Sequence, residues 1–283
     1  MRNLAAVGVI ATVVALVAGC SARPATTGAG GSVGVPAAGA SAPPAGPTPV
    51  ASRCGPPDAP AKTFALSTSD HVTIAAVEIG TGARGVVLVP ELGRTNLCGW
   101  WEYAAFLAAK GYHVLLFDHR CAGQSTCPAG DPAPNGLMLD IGAAVSRLRS
   151  DGASKVVLMG ASQGASEALI AGAAPPSGAT GVIALSADGL TDPLAAAPYP
   201  ADPMLAAPKL RLPVLLAVAD ADIFVSVAET QALYRALGSA HRQILVVPAV
   251  QGHGWTMLEA TTTTGVRPPL SAAVVSFLSG HLK

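Results

Sequence analysis

Short apolar runs alternate with amphipathic stretches along most of this chain. Thr63–Ser67 and Val72–Ile79 are β-branched runs flanking Ser69-Asp70 and predict a hairpin. Gly85–Val89, Tyr112–Phe117, Lys155–Met159, Gly181–Leu185, Pro213–Ala219 and Gln243–Val247 are continuous apolar runs, the pattern of strands buried on both faces. Between them, Gly99–Lys110, Leu137–Arg149, Ser162–Ala174, Ser226–Leu237 and Leu270–His281 read as helices. Gly111 suits the C-terminal cap of the first, and Leu137, Ile141, Ala144, Val145 and Leu148 share one face of the second. Buried strands alternating with helices predict an α/β protein, a mostly parallel sheet with helices on both faces and its chemistry at the carboxyl ends of the strands.

The first 60 residues break this pattern. Arg2 followed by the apolar run Leu4–Val17 reads as an export signal, too short for a comfortable membrane span. Leu16-Val17-Ala18-Gly19-Cys20 resembles a bacterial lipobox, which implies removal of residues 1–19 and lipidation of Cys20. An ordinary secretory signal with a chance cysteine is the plainer alternative. Residues 20–60 are dominated by Ala, Gly, Pro, Ser and Thr, and beyond Cys20 carry only Arg23, Arg53 and Asp58 as charges. Such a segment lacks the apolar periodicity of a core and is expected to be a disordered tether reaching on the order of 35 Å. The expected organisation is a signal at 1–19, a lipidated tether at 20–60 and one α/β domain at 61–283, held outside the cell membrane.

Charge narrows the partners. Seventeen basic and 17 acidic residues balance, charged residues are 12% of the chain, and no basic stripe occurs, which argues against nucleic acid as a partner. Cys54, Cys98, Cys121 and Cys127 are even in number, as in exported proteins with disulfides. The spacing of Cys121 and Cys127 suits a short bridged loop, leaving Cys54 with Cys98 to pin the tether to the domain, although four cysteines allow three pairings. No His or carboxylate cluster stands at ligand spacing around them, so no metal is expected, nor any cofactor.

The candidate chemistry centres on Gly160-Ala161-Ser162-Gln163-Gly164, set between a predicted strand and a predicted helix. A serine on so sharp a turn needs small residues two before and two after it, and holds its hydroxyl exposed. Its base must sit at another strand's carboxyl end. Of six histidines, His253, in Gln251-Gly252-His253-Gly254-Trp255 after the last strand, fits best; His119 also follows a strand and is the weaker candidate. His71 and His113 read as structural, His241 and His281 as surface residues. Asp222 is the favoured carboxylate to orient the imidazole, with Asp220 and Asp188 as alternatives.

The chain order Ser162, Asp222, His253 and the segment 111–125, a strand ending in Asp118 before a glycine-containing loop, make residues 62–283 similar to the α/β-hydrolase family. That resemblance implies ester hydrolysis through an acyl-enzyme on a small-molecule or lipid ester. It places Val87–Gly93 at the oxyanion loop, with Leu92 and Gln163 N–H groups as the donors. It makes Asp118 and Arg120 structural ties. Pro90-Glu91 departs from the family's usual His-Gly, and Glu91 would disfavour anionic substrates unless Arg94 pairs with it. The connection after Leu185 is too short for a large cap. Its Pro193, Pro198, Pro200, Pro203 and Pro208 suggest an extended lid, with Tyr199, Met204 and Leu205 able to line an open cleft. A thioesterase, lipase or peptidase of the same fold, or a hydrolase-like surface binding protein, remain alternatives.

Overall fold

Apolar strands that bury both faces need helices above and below them, and the chain supplies both. The structure, a computed structural model, describes residues 51–55, 59–93, 96–130, 136–174, 177–188, 202–249, 252–259 and 265–283. The signal segment, Cys20, most of the tether, Arg94, Pro193, Pro198, Tyr199 and Pro200 lie outside the described residues.

The strands are β1 (Ala61–Ser67), β2 (Thr73–Ile79), β3 (Arg84–Val89), β4 (His113–Phe117), β5 (Lys155–Ala161), β6 (Gly181–Leu185), β7 (Val214–Ala219) and β8 (Arg242–Val247). They form one sheet in the order β1-β2-β4-β3-β5-β6-β7-β8. β2 runs antiparallel to both β1 and β4, and every other pairing is parallel. The principal helices are α1 (Trp101–Ala109), α2 (Gly136–Ser150), α3 (Gln163–Ala173), α4 (Val227–Ala236) and α5 (Pro269–His281). The predicted elements thus recur with boundaries shifted by a residue or two. The exception is the start of the first helix, where Asn96–Trp100 forms a 3₁₀ turn before α1. Of the Pro-rich connection, residues 203–209 are a short helix and a 3₁₀ turn, begun by the Asp202 side chain accepting from the Met204 amide at 2.7 Å.

Alternation along each strand divides the core in two. Val86 and Leu88 of β3, with Val157 and Met159 of β5, pack under Leu107 of α1 and Val274 and Leu278 of α5. Val87 and Val89, with Val156 and Leu158, pack on the other side against Leu148 of α2, Leu169 of α3 and Leu233 of α4. Each such side chain contributes about 1.5–3 kcal/mol relative to exposure. A one-residue slip in a strand would exchange the two faces, so register is strongly specified.

The sheet order reverses at β3. The chain leaves β3 toward β4 on one side and returns to β5 on the other, opening a crevice at the carboxyl ends of β3 and β5. Two cysteine pairs stand at disulfide distance, Cys54 with Cys98 and Cys121 with Cys127, with Cα–Cα distances of 5.1 and 4.4 Å. Arg53 pairs with buried Asp118 at 2.8 Å. The first described segment therefore joins the fold at the carboxyl edge of the sheet, beside the end of β4. Among the described residues no helix is long and apolar enough to cross a membrane.

Candidate active site

Ser162 forms the turn between β5 and α3 with φ 52° and ψ −123°. This left-handed geometry is costly for a residue with a Cβ, on the order of 1–3 kcal/mol, and persists because its surroundings impose it. The Ser162 amide continues the β5–β6 ladder by donating to Leu185 O at 2.9 Å, while its carbonyl accepts from the Ala165 amide at 2.9 Å to start α3. One residue therefore belongs to strand and helix at once. A Cβ on Gly160 would collide with the Gly164 carbonyl, and one on Gly164 with the Val89 and Pro90 carbonyls. The flanking glycines are thus explained atom by atom: one lets the turn close, and the other lets it press against the loop after β3.

His253 and Asp222 meet beside this turn. His253 Nδ1 lies 2.7 and 2.9 Å from Asp222 Oδ2 and Oδ1. The Asp222 side chain is fully buried, whereas the His253 side chain keeps 19% of its surface exposed. Burial alone would push the Asp222 carboxyl up, but the Phe224 amide, His253 and Ser186 outweigh it and hold the carboxyl below its ordinary value. A carboxylate on Nδ1 leaves Nε2 as the imidazole's free nitrogen. The loop carrying His253 is seated on the serine turn: a Cβ on Gly254 would stand 3.3 Å from Ala161 Cβ and 3.7 Å from Ser162 N.

The two alternative aspartates are placed differently. Asp220 is exposed, and its amide extends the sheet to Val247 O at 2.8 Å. Asp188 accepts from the Ser166 hydroxyl on α3, 2.6 Å at its carbonyl and 3.1 Å at Oδ1. Asp118 accepts from Arg53 and from the Leu97 and Gln124 amides, and Arg120 spans Asp70 at 2.7 Å and Asp140 at 2.8 Å. Both are ties within the loop that follows β4. His119 is engaged by the loop after β3; its Nε2 lies 3.0 Å from Pro90 O. His113 lies in β4, 3.8 Å from Glu78, at the opposite edge from Ser162.

The loop after β3 is held from three sides. Trp100 Nε1 donates to Val89 O at 2.9 Å, His119 holds Pro90 O, and Gly164 packs on both carbonyls. Leu92 follows, 58% exposed, while Gln163 is buried on the other side of Ser162. Glu91 turns inward, so that a Cβ on Gly254 would stand 2.6 Å from its Oε2. Burial raises its pKa, against the opposing pull of Trp255 and His253. Arg94, whose pairing would offset the Glu91 charge, lies outside the described residues.

One participant went unpredicted. Ser186 follows β6 with φ 52°, is fully buried, accepts the Gly254 amide at 3.1 Å and is among the groups that lower the Asp222 carboxyl. It connects the Asp222 loop to the His253 loop. Its position directly after a buried apolar strand, as Ser162 follows β5, was the available signal. Phe224, 68% exposed, lies with its ring 4.7 Å from that of His253, and neighbouring Ile223 is 87% exposed. Among the described residues no group of three or more His, Cys, Asp or Glu could hold a metal ion.

A family model described as serine aminopeptidase, S33, matches residues 84–200. Among solved structures, an esterase of Pyrococcus furiosus is similar over 80% of this chain and 92% of its own, at 19% identity and a TM-score of 0.67. A monoacylglycerol lipase of Paleococcus ferrophilus covers 74% and 99% at 19% identity and a TM-score of 0.57. An enol-lactonase of Burkholderia xenovorans covers 76% and 99% at 16% identity and a TM-score of 0.60. A search of curated proteins finds no match. With its sheet order and the turn at Ser162, the chain has the α/β-hydrolase fold.

Proposed function

We propose that this protein with the α/β-hydrolase fold is an exported, membrane-anchored serine hydrolase that cleaves neutral carboxylic esters. The observation that carries the reading is the His253–Asp222 pair, 2.7 Å apart, on a loop packed against a serine in strained geometry. Ser162 Oγ attacks the acyl carbonyl as His253 Nε2 takes its proton, and Asp222 stabilises the resulting imidazolium. Gln163 and Leu92 N–H groups stabilise the oxyanion. His253 returns the proton to the leaving alcohol. Water, deprotonated in the same way, then releases the acid and frees Ser162.

Substrate chemistry follows from the surroundings of His253. The exposed Phe224 ring packs on His253, exposed Ile223 and Leu92 lie on the loops that carry Asp222 and Glu91, and the Glu91 carboxyl stands beside Gly254. Apolar acyl or alcohol groups suit such a rim, and anionic ones do not. A lipid anchor at Cys20 fits the same reading, because the chain joins the domain at the edge that carries Ser162.

The test is labelling by a fluorophosphonate probe together with turnover of p-nitrophenyl esters of graded chain length. The native protein is expected to label at Ser162 and hydrolyse the neutral esters, and Ser162→Ala to lose both while remaining folded. An unlabelled Ser162 in folded protein overturns the reading. A peptidase is the second reading, favoured by the description of the matching family model; aminoacyl p-nitroanilides cleaved faster than the esters would select it.

A further inference from the structure

Beneath the serine turn lies a group of buried polar side chains that the ester chemistry does not use. Glu167 on α3 is 1% exposed. Its Oε1 accepts from Gln163 Nε2 at 2.6 Å. Its Oε2 faces His119 Nδ1 at 3.6 Å, and both of these atoms are buried without any other partner. His119 Nε2 is 3.0 Å from Pro90 O. A path of four residues thus runs from the loop after β3 to the residue that follows Ser162.

The proton positions along this path follow from what each atom is able to do. A carbonyl only accepts, so His119 Nε2 carries the hydrogen. A neutral imidazole then offers a lone pair at Nδ1, and the group facing it must donate. The carboxylate form of Glu167 has nothing to donate, while the carboxylic acid form does. Charge acts in both directions on this path: Asp140 on α2 and Asp188 after β6 raise Glu167 as like charges, whereas Asp118 and Asp140 favour a cationic His119 and are outweighed by its burial, and Arg120 is already engaged by Asp70 and Asp140. Burial raises the Glu167 carboxyl well above its usual range and lowers the His119 imidazole below its ordinary value. Asp222, less deeply buried than Glu167, is instead held below its ordinary value because the Phe224 amide and His253 donate to it.

We propose that Glu167 is a positioning residue: as a neutral acid it donates to His119 and accepts from Gln163, tying the Pro90 loop to the turn so that the Leu92 and Gln163 amides keep a fixed separation. Closing the 3.6 Å gap to a hydrogen bond takes a movement of about 0.4–0.9 Å. The tie deepens the ester-hydrolase reading, since these two amides are its oxyanion donors.

Two variants and one spectrum test it on the full chain. Glu167→Gln retains a donor and an acceptor, and kcat should stay within about threefold of native. Glu167→Leu removes both, and kcat should fall about 10- to 100-fold with KM little changed. The infrared difference spectrum of native protein minus Glu167→Gln at pH 7 should contain the C=O band of a protonated carboxylic acid. This readout needs no activity, so it stands even if Ser162 proves not to be a nucleophile. If Glu167→Leu does not fold, the spectrum and Glu167→Gln decide. Absence of the band, a Glu167→Gln as impaired as a folded Glu167→Leu, or a folded Glu167→Leu with native kcat each overturns the proposal.

Discussion

Asp222 and His253 are joined by a carboxylate that does two jobs: Oδ2 lies 2.7 Å from His253 Nδ1, while Oδ1 also accepts the Phe224 amide at 2.9 Å. Positioning the imidazole and shaping the loop after β7 are therefore one structural act. The same loop ends at Ser226, whose hydroxyl accepts the Glu229 amide at 3.1 Å to cap α4.

Asp222→Asn should lower kcat by about 10⁴-fold, because an amide no longer stabilises the imidazolium or enforces its tautomer. The sign of the acid dependence follows from the lowered carboxyl. Its stabilisation is complete above the ordinary carboxylate range and is lost as pH falls through the native-state value. Denaturant melts against pH should show this acid-side loss in the native protein and a shallower one in Asp222→Asn. Equal acid slopes would show that the carboxylate is not held as described.

Glu91→Gln should act in the opposite sense. A carboxyl raised by burial makes the native state bind its proton more tightly than the unfolded chain does. Stability is then lost as pH rises from the unfolded-state value through the native one. Melts of the variant should lose less over that interval. Removing the charge should also narrow the preference for neutral over succinyl-type anionic esters by several-fold in kcat/KM, on the order of 1 kcal/mol. An unchanged ratio would show that Glu91 does not face the substrate.

Removing the two disulfides should have unequal effects. Cys54–Cys98 closes 44 residues and Cys121–Cys127 only 6, so loop-closure entropy predicts about 4 and about 2 kcal/mol respectively. Paired Cys→Ser variants in urea titrations measure both. A larger loss from the shorter loop would mean that the bridge at 121–127 holds native structure rather than restricting the unfolded chain.

Much of this site was legible along the chain because its parts are local. Gly160, Ser162 and Gly164 obey one steric rule within five residues, and His253 and Asp222 each follow an apolar strand. The contacts that separate Asp222 from Asp220 and Asp188 are not local. Asp222 reaches His253 across 31 positions, whereas Asp188 turns toward Ser166 across 22. Two residues apart in the same loop, Asp220 and Asp222 look alike in the sequence, and only the path of the backbone gives one of them the imidazole.

By itself the sequence determined the alternation of buried strands and helices, the small residues that permit the serine turn, and the even set of cysteines, because periodicity and steric size act between near neighbours. The tertiary structure alone decided the role of Ser186, the inward turn of Glu91 toward Gly254, and the burial of Glu167 opposite His119. Those depend on how far each group is removed from water and on which donors arrive from distant strands. Desolvation and hydrogen bonding across the fold, which leave no periodic trace in a sequence, hold the Asp222 carboxyl below its ordinary value and push that of Glu167 well above it.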